Sequence, residues 1–296
     1  MKKLIATILA AVMVLSLAAC GKKKENNNFK IATSFYPMYV VTLNLTDGTE
    51  NTELMNLTDS NYGCVHNYMI EPEDIKKLEG KKLFVACGLE MENFVGKTSL
   101  GIPRLEVLES GEDIPEIITE NGYDNPHYWM SIENSISHCD KICRVLVKAD
   151  PANAEVYEKN AEKYKEKLGE LFEEAKERTS KLPKEKIVLL DDTFDYFADE
   201  FGIKTVKLMP RHGVKPTQKD IENAVAYIKL NGVKTVYVSM EEADSDVVRT
   251  IKRECGRCNV VVLNTLTRGD INEETKDAYF TATRSNLDLL EANMGK

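Results

Sequence analysis

The stretch DPANAEVYEKNAEKYKEKLGELFEEAKERTSK, Asp150 to Lys181, decides how the rest of the chain is read. Asp150 can cap a helix, and Pro151 suits a first turn, where a missing N–H leaves nothing unpaired. Tyr157, Ala161, Tyr164, Leu168, Leu171 and Ala175 then recur at spacings of four and three, while Glu and Lys fill the other faces. That period gathers the apolar side chains into one stripe along a single helix that ends before Pro183. About thirty residues at about 1.5 Å each make a rod of about 45 Å. A charged surface helix with one packed stripe is the ordinary reading of such a segment. Its place between two differently patterned halves points to a stiff connector that allows little hinge motion.

On either side, short β-rich runs alternate with helical periodicity. The expected strands are Ile31–Ser34, Glu53–Leu57, Leu83–Ala86 and Arg104–Leu108 before the rod. After it come Ile187–Leu190, Lys204–Leu208, Thr235–Ser239 and Val260–Leu263. Helices are expected over Glu71–Leu78, Thr193–Phe201, Thr217–Leu230 and Asp246–Glu254, with Thr217 and Asp220 forming a capping box. Such alternation implies an α/β fold with parallel sheets covered by helices. The 296 residues, 43% hydrophobic and 29% charged, allow two lobes with cores of their own.

The start of the chain is different in kind. Lys2 and Lys3 precede an apolar run from Leu4 to Leu17, and Ala18 and Ala19 lead into Cys20. This is the pattern of a secretory signal peptide, 1–19, too short for a confident spanning helix. The Leu17-Ala18-Ala19-Cys20 exit resembles a bacterial lipobox, in which the cysteine is lipidated and anchors the chain to the membrane. Residues 20–28 then read as the lipidated cysteine and a polar, flexible tether. The expected divisions are an N-terminal lobe at 29–149, a linker helix at 150–182 and a C-terminal lobe at 183–296. A net charge of −9, more negative once Lys2 and Lys3 are gone, disfavours nucleic acid as a partner and suits cations.

Cysteine chemistry offers little. Cys139 and Cys143 fall on a helical stripe with Ile132, Ile136 and Leu146 and read as buried thiols. Cys255 and Cys258 form a C-x-x-C with no second ligand pair to complete a zinc site, so a local disulfide or two inert thiols is expected. The four histidines are more informative. His66, His127 and His212 lie on loops between α/β elements, and open α/β sheets bind ligands outside the carboxyl ends of their strands. His138 sits mid-helix off the apolar stripe and reads as a solvated side chain.

The residues around these histidines resemble a known family. His66-Asn67-Tyr68 followed by Pro72-Glu73-Asp74-Ile75 is similar to the His-Asp-Tyr-Glu-Pro-x-Pro-x-Asp-Ile signature of the zinc and manganese receptors of ABC importers. Ser34-Phe35-Tyr36-Pro37, Cys87-Gly88-Leu89-Glu90-Met91-Glu92 and Pro126-His127-Tyr128-Trp129 are similar too. Asp192-Thr193-Phe194-Asp195-Tyr196 and Asn286-Leu287-Asp288-Leu289-Leu290 continue the likeness in order to the C-terminus. The resemblance implies two Rossmann-like lobes joined by one long rigid helix. It also implies a transported Zn2+ or Mn2+ held between the lobes, and an ABC permease with its ATPase subunit as partners of a monomeric, extracytoplasmic, lipid-anchored receptor.

Carried over residue by residue, His66 and His127 match the family's first-lobe ligands, and its third position falls on Asp191. The fourth, usually a carboxylate after the last strand, meets Asn264-Thr265-Leu266-Thr267-Arg268-Gly269-Asp270, so Asp270 is the nearest candidate. His212 is an alternative third imidazole. Cys64 can offer a thiolate if its loop is extended, since alternate side chains then share a face. Two imidazoles with carboxylates suit zinc, and more oxygen moves the preference toward manganese or ferrous iron. The histidine ligands must be neutral, so affinity is expected to fall below about pH 6.5.

No long His- and acid-rich loop occurs; Glu50 to Asp59 is short. Nor is there a His-Glu-x-x-His, a Gly-x-Ser-x-Gly or a phosphate-cradling glycine loop, so an enzyme is not expected. The alternative to a receptor is a surface adhesin or sensor that kept the fold without tight metal binding.

Overall fold

The computed structural model describes residues 28–95, 101–120, 122–209 and 211–295. The signal segment, Cys20 and the tether as far as Asn27 lie outside the described residues. The first half runs β1 (Phe29–Thr33), α1 (Tyr36–Leu45), β2 (Thr52–Asn56), α2 (Pro72–Leu78), β3 (Leu83–Ala86) and β4 (Glu106–Glu109). A small hairpin of β5 (Thr119–Glu120) and β6 (Tyr123–Asp124), which the sequence reading did not anticipate, leads to α3 (Ile132–Ala149). The rod is α4 (Ala154–Ser180). Beyond it come β7 (Ile187–Leu189), α5 (Asp195–Glu200), β8 (Thr205–Lys207), α6 (Gln218–Asn231), β9 (Thr235–Ser239), α7 (Asp246–Glu254), β10 (Asn259–Leu263) and α8 (Ala278–Asn293).

Both main sheets are four-stranded and parallel, in the orders β2-β1-β3-β4 and β10-β9-β7-β8. β3 is buried on both faces, as a strand covered by helices must be. The strand order reverses direction beside β1 in one sheet and beside β7 in the other, opening a crevice at the strands' carboxyl ends.

The rod begins four residues later than Asp150, behind a 3-10 turn at Pro151–Asn153. Asp150 closes that turn by accepting from Asn153 Nδ2 and the Tyr157 hydroxyl, each at 2.7 Å. All six stripe residues named above are buried. They pack on α1 and α3 from the first half and on α8 from the second. One apolar core therefore runs from Ile31 and Leu83 through Trp129 and the rod to Leu189, Tyr237 and Leu263. Smaller cores lie behind each sheet. A helix glued to both halves by a common core resists large hinge opening.

His138 is a correction. It is fully buried, with its ring edge-on to Tyr128 at 5.4 Å between centroids. α3 packs on α1 as well as on the rod, so its buried face is wider than one stripe. Cys139 and Cys143 are buried as expected, and Cys255 and Cys258 are free thiols rather than a disulfide.

Candidate metal centre

Every strand of the second sheet ends in a residue at or beside one point between the lobes. Asp191 follows β7, His212 follows β8, Glu241 and Glu242 follow β9, and Thr265 follows β10. From the first lobe, His66 arrives on the loop after β2. His127 arrives at the start of the 3-10 turn Tyr128–Met130 that leads into α3.

The three histidines meet. Ring centroids are 5.4 Å apart for His66 and His127, 5.5 Å for His66 and His212, and 5.3 Å for His127 and His212. With Cys64 they form a group whose potential ligand atoms all lie within 4.8 Å of one another. His212 also belongs to a second group of that kind, with Asp191 and Glu242.

Each inner imidazole is held from behind. Asn125 Oδ1 accepts from His127 Nδ1 at 2.7 Å and from the His127 backbone N–H at 3.0 Å. A carboxamide oxygen only accepts, so Nδ1 carries the proton and Nε2 is left as an acceptor, taking a long hydrogen bond from the Cys64 thiol at 3.8 Å. The other end of the Asn125 amide donates to the Asp192 carbonyl at 2.8 Å, tying the first lobe to the second. His212 Nδ1 lies 3.3 Å from Asp191 Oδ2, and its backbone N–H donates to Asp192 Oδ1 at 2.8 Å. His66 Nε2 is buried without a hydrogen-bond partner. Gly213, at φ +77°, lies against this ring, and a Cβ there would come within 3.0 Å of it. A side chain there would have to push the ring aside, and the backbone conformation favours glycine.

The electrostatics separate the three rings. Burial lowers His66 to about 3, with help from His212 and Arg211, and burial also pushes His127 well below the ordinary histidine value. Burial opposes charge on His212 as well, but the Asp191 carboxylate facing its Nδ1 favours the proton, and His212 is raised well above that value. Burial would raise Asp191, yet His212 and the Thr193 N–H hold it low. Burial pushes the Cys64 thiol up to about 11, so it keeps its proton in the metal-free protein. Two imidazoles thus stand neutral and ready, and protons compete chiefly for the third.

Of the residues singled out from the sequence, His66, His127 and His212 come together, with Cys64 beside them. Asp191 adjoins the group through His212. Asp270 does not join: it is exposed, and its Oδ1 accepts from Asn61 Nδ2 at 3.3 Å. The loop turns it away because Thr265 and Thr267 are buried ahead of it, and Gly269 N–H bonds the Ser60 carbonyl at 3.0 Å. Sequence reasoning missed Glu241 and Glu242. Their position directly after β9 was the available signal, because the carboxyl ends of parallel strands carry the site.

Two α/β lobes with a cluster of imidazoles between them, contributed by both, define a two-lobed binding protein whose ligand accepts nitrogen donors. The chain belongs to the family described as zinc-uptake complex component A, periplasmic, whose model matches residues 31–293. It is 27% identical to the manganese ABC transporter substrate-binding lipoprotein PsaA of Streptococcus anginosus, with 100% of both chains covered. It is also 27% identical to the high-affinity zinc uptake system protein ZnuA of Bacillus subtilis, over 99% of this chain and 98% of that one. The solved structure of the SBP FpvC from Pseudomonas aeruginosa in complex with Mn2+ is similar with a TM-score of 0.78. That match is at 27% identity over 90% of this chain and 98% of the other. Among the described residues no helix is long and apolar enough to cross a membrane.

Proposed function

We propose that this chain is the extracytoplasmic receptor of an ABC importer, capturing zinc or manganese between its lobes and passing the ion to a permease and its ATPase subunit. The observation that carries the reading is the meeting of His66, His127 and His212 from both lobes, with a buried, unpartnered His66 nitrogen among them. Nitrogen and sulfur donors gathered around one point, one of them a buried lone pair with no partner, are what a cation stabilises. Asp191 acts as a positioning residue: it orients His212 so that Nε2 turns to the ion, as carboxylates behind metal-bound histidines do.

No covalent step is part of this reading, and no enzyme is implied. Lipidation of Cys20 would hold the monomer at the membrane, with the segment before Phe29 as its tether. The common core favours release by small loop shifts rather than wide opening. The test is differential scanning of metal-free protein with zinc, manganese and EDTA. An ion at 100 times its Kd adds about 2.7 kcal/mol of stability. Absence of a melting shift with either ion would defeat the receptor reading.

A further inference from the structure

We infer that Cys64 supplies a thiolate as the fourth ligand of a tetrahedral site with His66, His127 and His212, tuning the receptor to the zinc class of ion over manganese. This rests on the reading that the interlobe cluster carries a metal. Three observations bear on it.

The first is the placement of Cys64. Cys64 and His66 flank Val65, which is fully buried in the common core. Cys64 is half-buried against the edge of that core, and its Sγ lies within 4.8 Å of the potential ligand atoms of all three histidines. Gly63, at φ +96°, lets this loop pass Glu241 closely, and a Cβ there would lie 3.3 Å from the Glu241 side chain.

The second is the triangle of rings. A bond of about 2.0–2.1 Å plus roughly 1.1 Å from nitrogen to ring centre puts an ion about 3.2 Å from each centroid. Tetrahedral angles then separate the centroids by about 5.2 Å, and the right angles of an octahedral shell by about 4.5 Å. The observed 5.3, 5.4 and 5.5 Å exceed the octahedral value and lie between the tetrahedral one and the roughly 5.5 Å of a flat three-ligand shell. That leaves room for a fourth donor on one side of the rings, and Cys64 is the fourth member of the group.

The third is how the oxygens are committed. Asp191 accepts from Thr193 N–H at 3.0 Å and faces His212 Nδ1. Glu241 Oε2 accepts from Thr265 Oγ1 at 2.9 Å. Glu241 Oε1 is buried and unpartnered, which makes Glu241 the rival for the fourth corner, but it joins neither group of potential ligands. On binding, the Cys64 proton leaves to solvent and the sulfur lone pair forms the bond. Imidazole and thiolate suit zinc, whereas manganese prefers oxygen and six ligands.

Cobalt(II) bound to the purified protein reads both the geometry and the sulfur. The expected result is strong visible bands of a four-coordinate ion and a near-ultraviolet thiolate-to-cobalt band. Cys64→Ser should remove the ultraviolet band, and Glu241→Gln should leave it. In competition, Cys64→Ser should reduce the zinc-to-manganese affinity ratio at least tenfold. Stoichiometric cobalt binding by the unaltered protein without a thiolate band overturns the inference and leaves the receptor reading standing. So does a band that survives in Cys64→Ser. Failure of the unaltered protein to bind cobalt, zinc or manganese removes both.

Discussion

The rim of the first lobe and the rim of the second hold their inner histidines by the same device with different chemistry. Behind His127 stands Asn125, a neutral amide that fixes the ring and leaves it uncharged. Behind His212 stands Asp191, a buried carboxylate that fixes the ring and favours its proton. Under the proposed reading, one lobe therefore offers a neutral imidazole, while the other offers one that would exchange a proton for the ion. The difference teaches that Asp191 can matter to binding without touching metal.

The strongest way to break this comparison is to remove the rings themselves. His127→Ala or His212→Ala should abolish the zinc-induced melting shift, and either variant retaining the full shift would show that the lobes do not share one ion. A smaller effect is expected behind the rings. Asp191→Asn should weaken zinc binding by about ten- to a hundredfold rather than abolish it, as measured by competition with a chelator. The same variant sharpens the contrast in pH. Because His212 is raised, affinity in the parent should climb with pH through and above neutrality. Asn at 191 should move that rise toward lower pH, while Asn125→Ala should leave its position unchanged. On this reading the loss expected from the sequence below about pH 6.5 falls on one ring and moves to higher pH.

A third contrast concerns a histidine with no part in the site. Burial lowers His138 to about 3, and both of its ring nitrogens lack partners. The unfolded chain takes up this proton first, so stability is fully present above about pH 6.5 and falls as pH drops toward 3. Between pH 7 and 5 urea unfolding should show the parent losing about 2 kcal/mol more than His138→Leu. Smallest of all, Asp270→Asn should leave the metal shift unaltered and the unfolding free energy the same within about 0.5 kcal/mol.

The architecture was legible because periodicity is a local property. The stripe from Tyr157 to Ala175, the apolar strands and the Thr217–Asp220 capping box all report which face meets a core, and each is found as read. His138 was misread because one stripe predicts one packing partner, and α3 has two. The histidines of the site were legible by residue type and loop position, and the resemblance pointed to His66 and His127.

Sequence by itself determined the two parallel α/β halves, the rod between them and the small set of side chains able to hold a cation, because composition and period along the chain specify these. Only tertiary structure decided that His212 joins the two first-lobe rings, that Cys64 turns inward beside them, and that Asp270 faces solvent while Asp191 stands behind a histidine. Those outcomes depend on how four loops converge at the ends of two sheets. Distances between residues far apart in sequence are set there by packing, which no local pattern encodes.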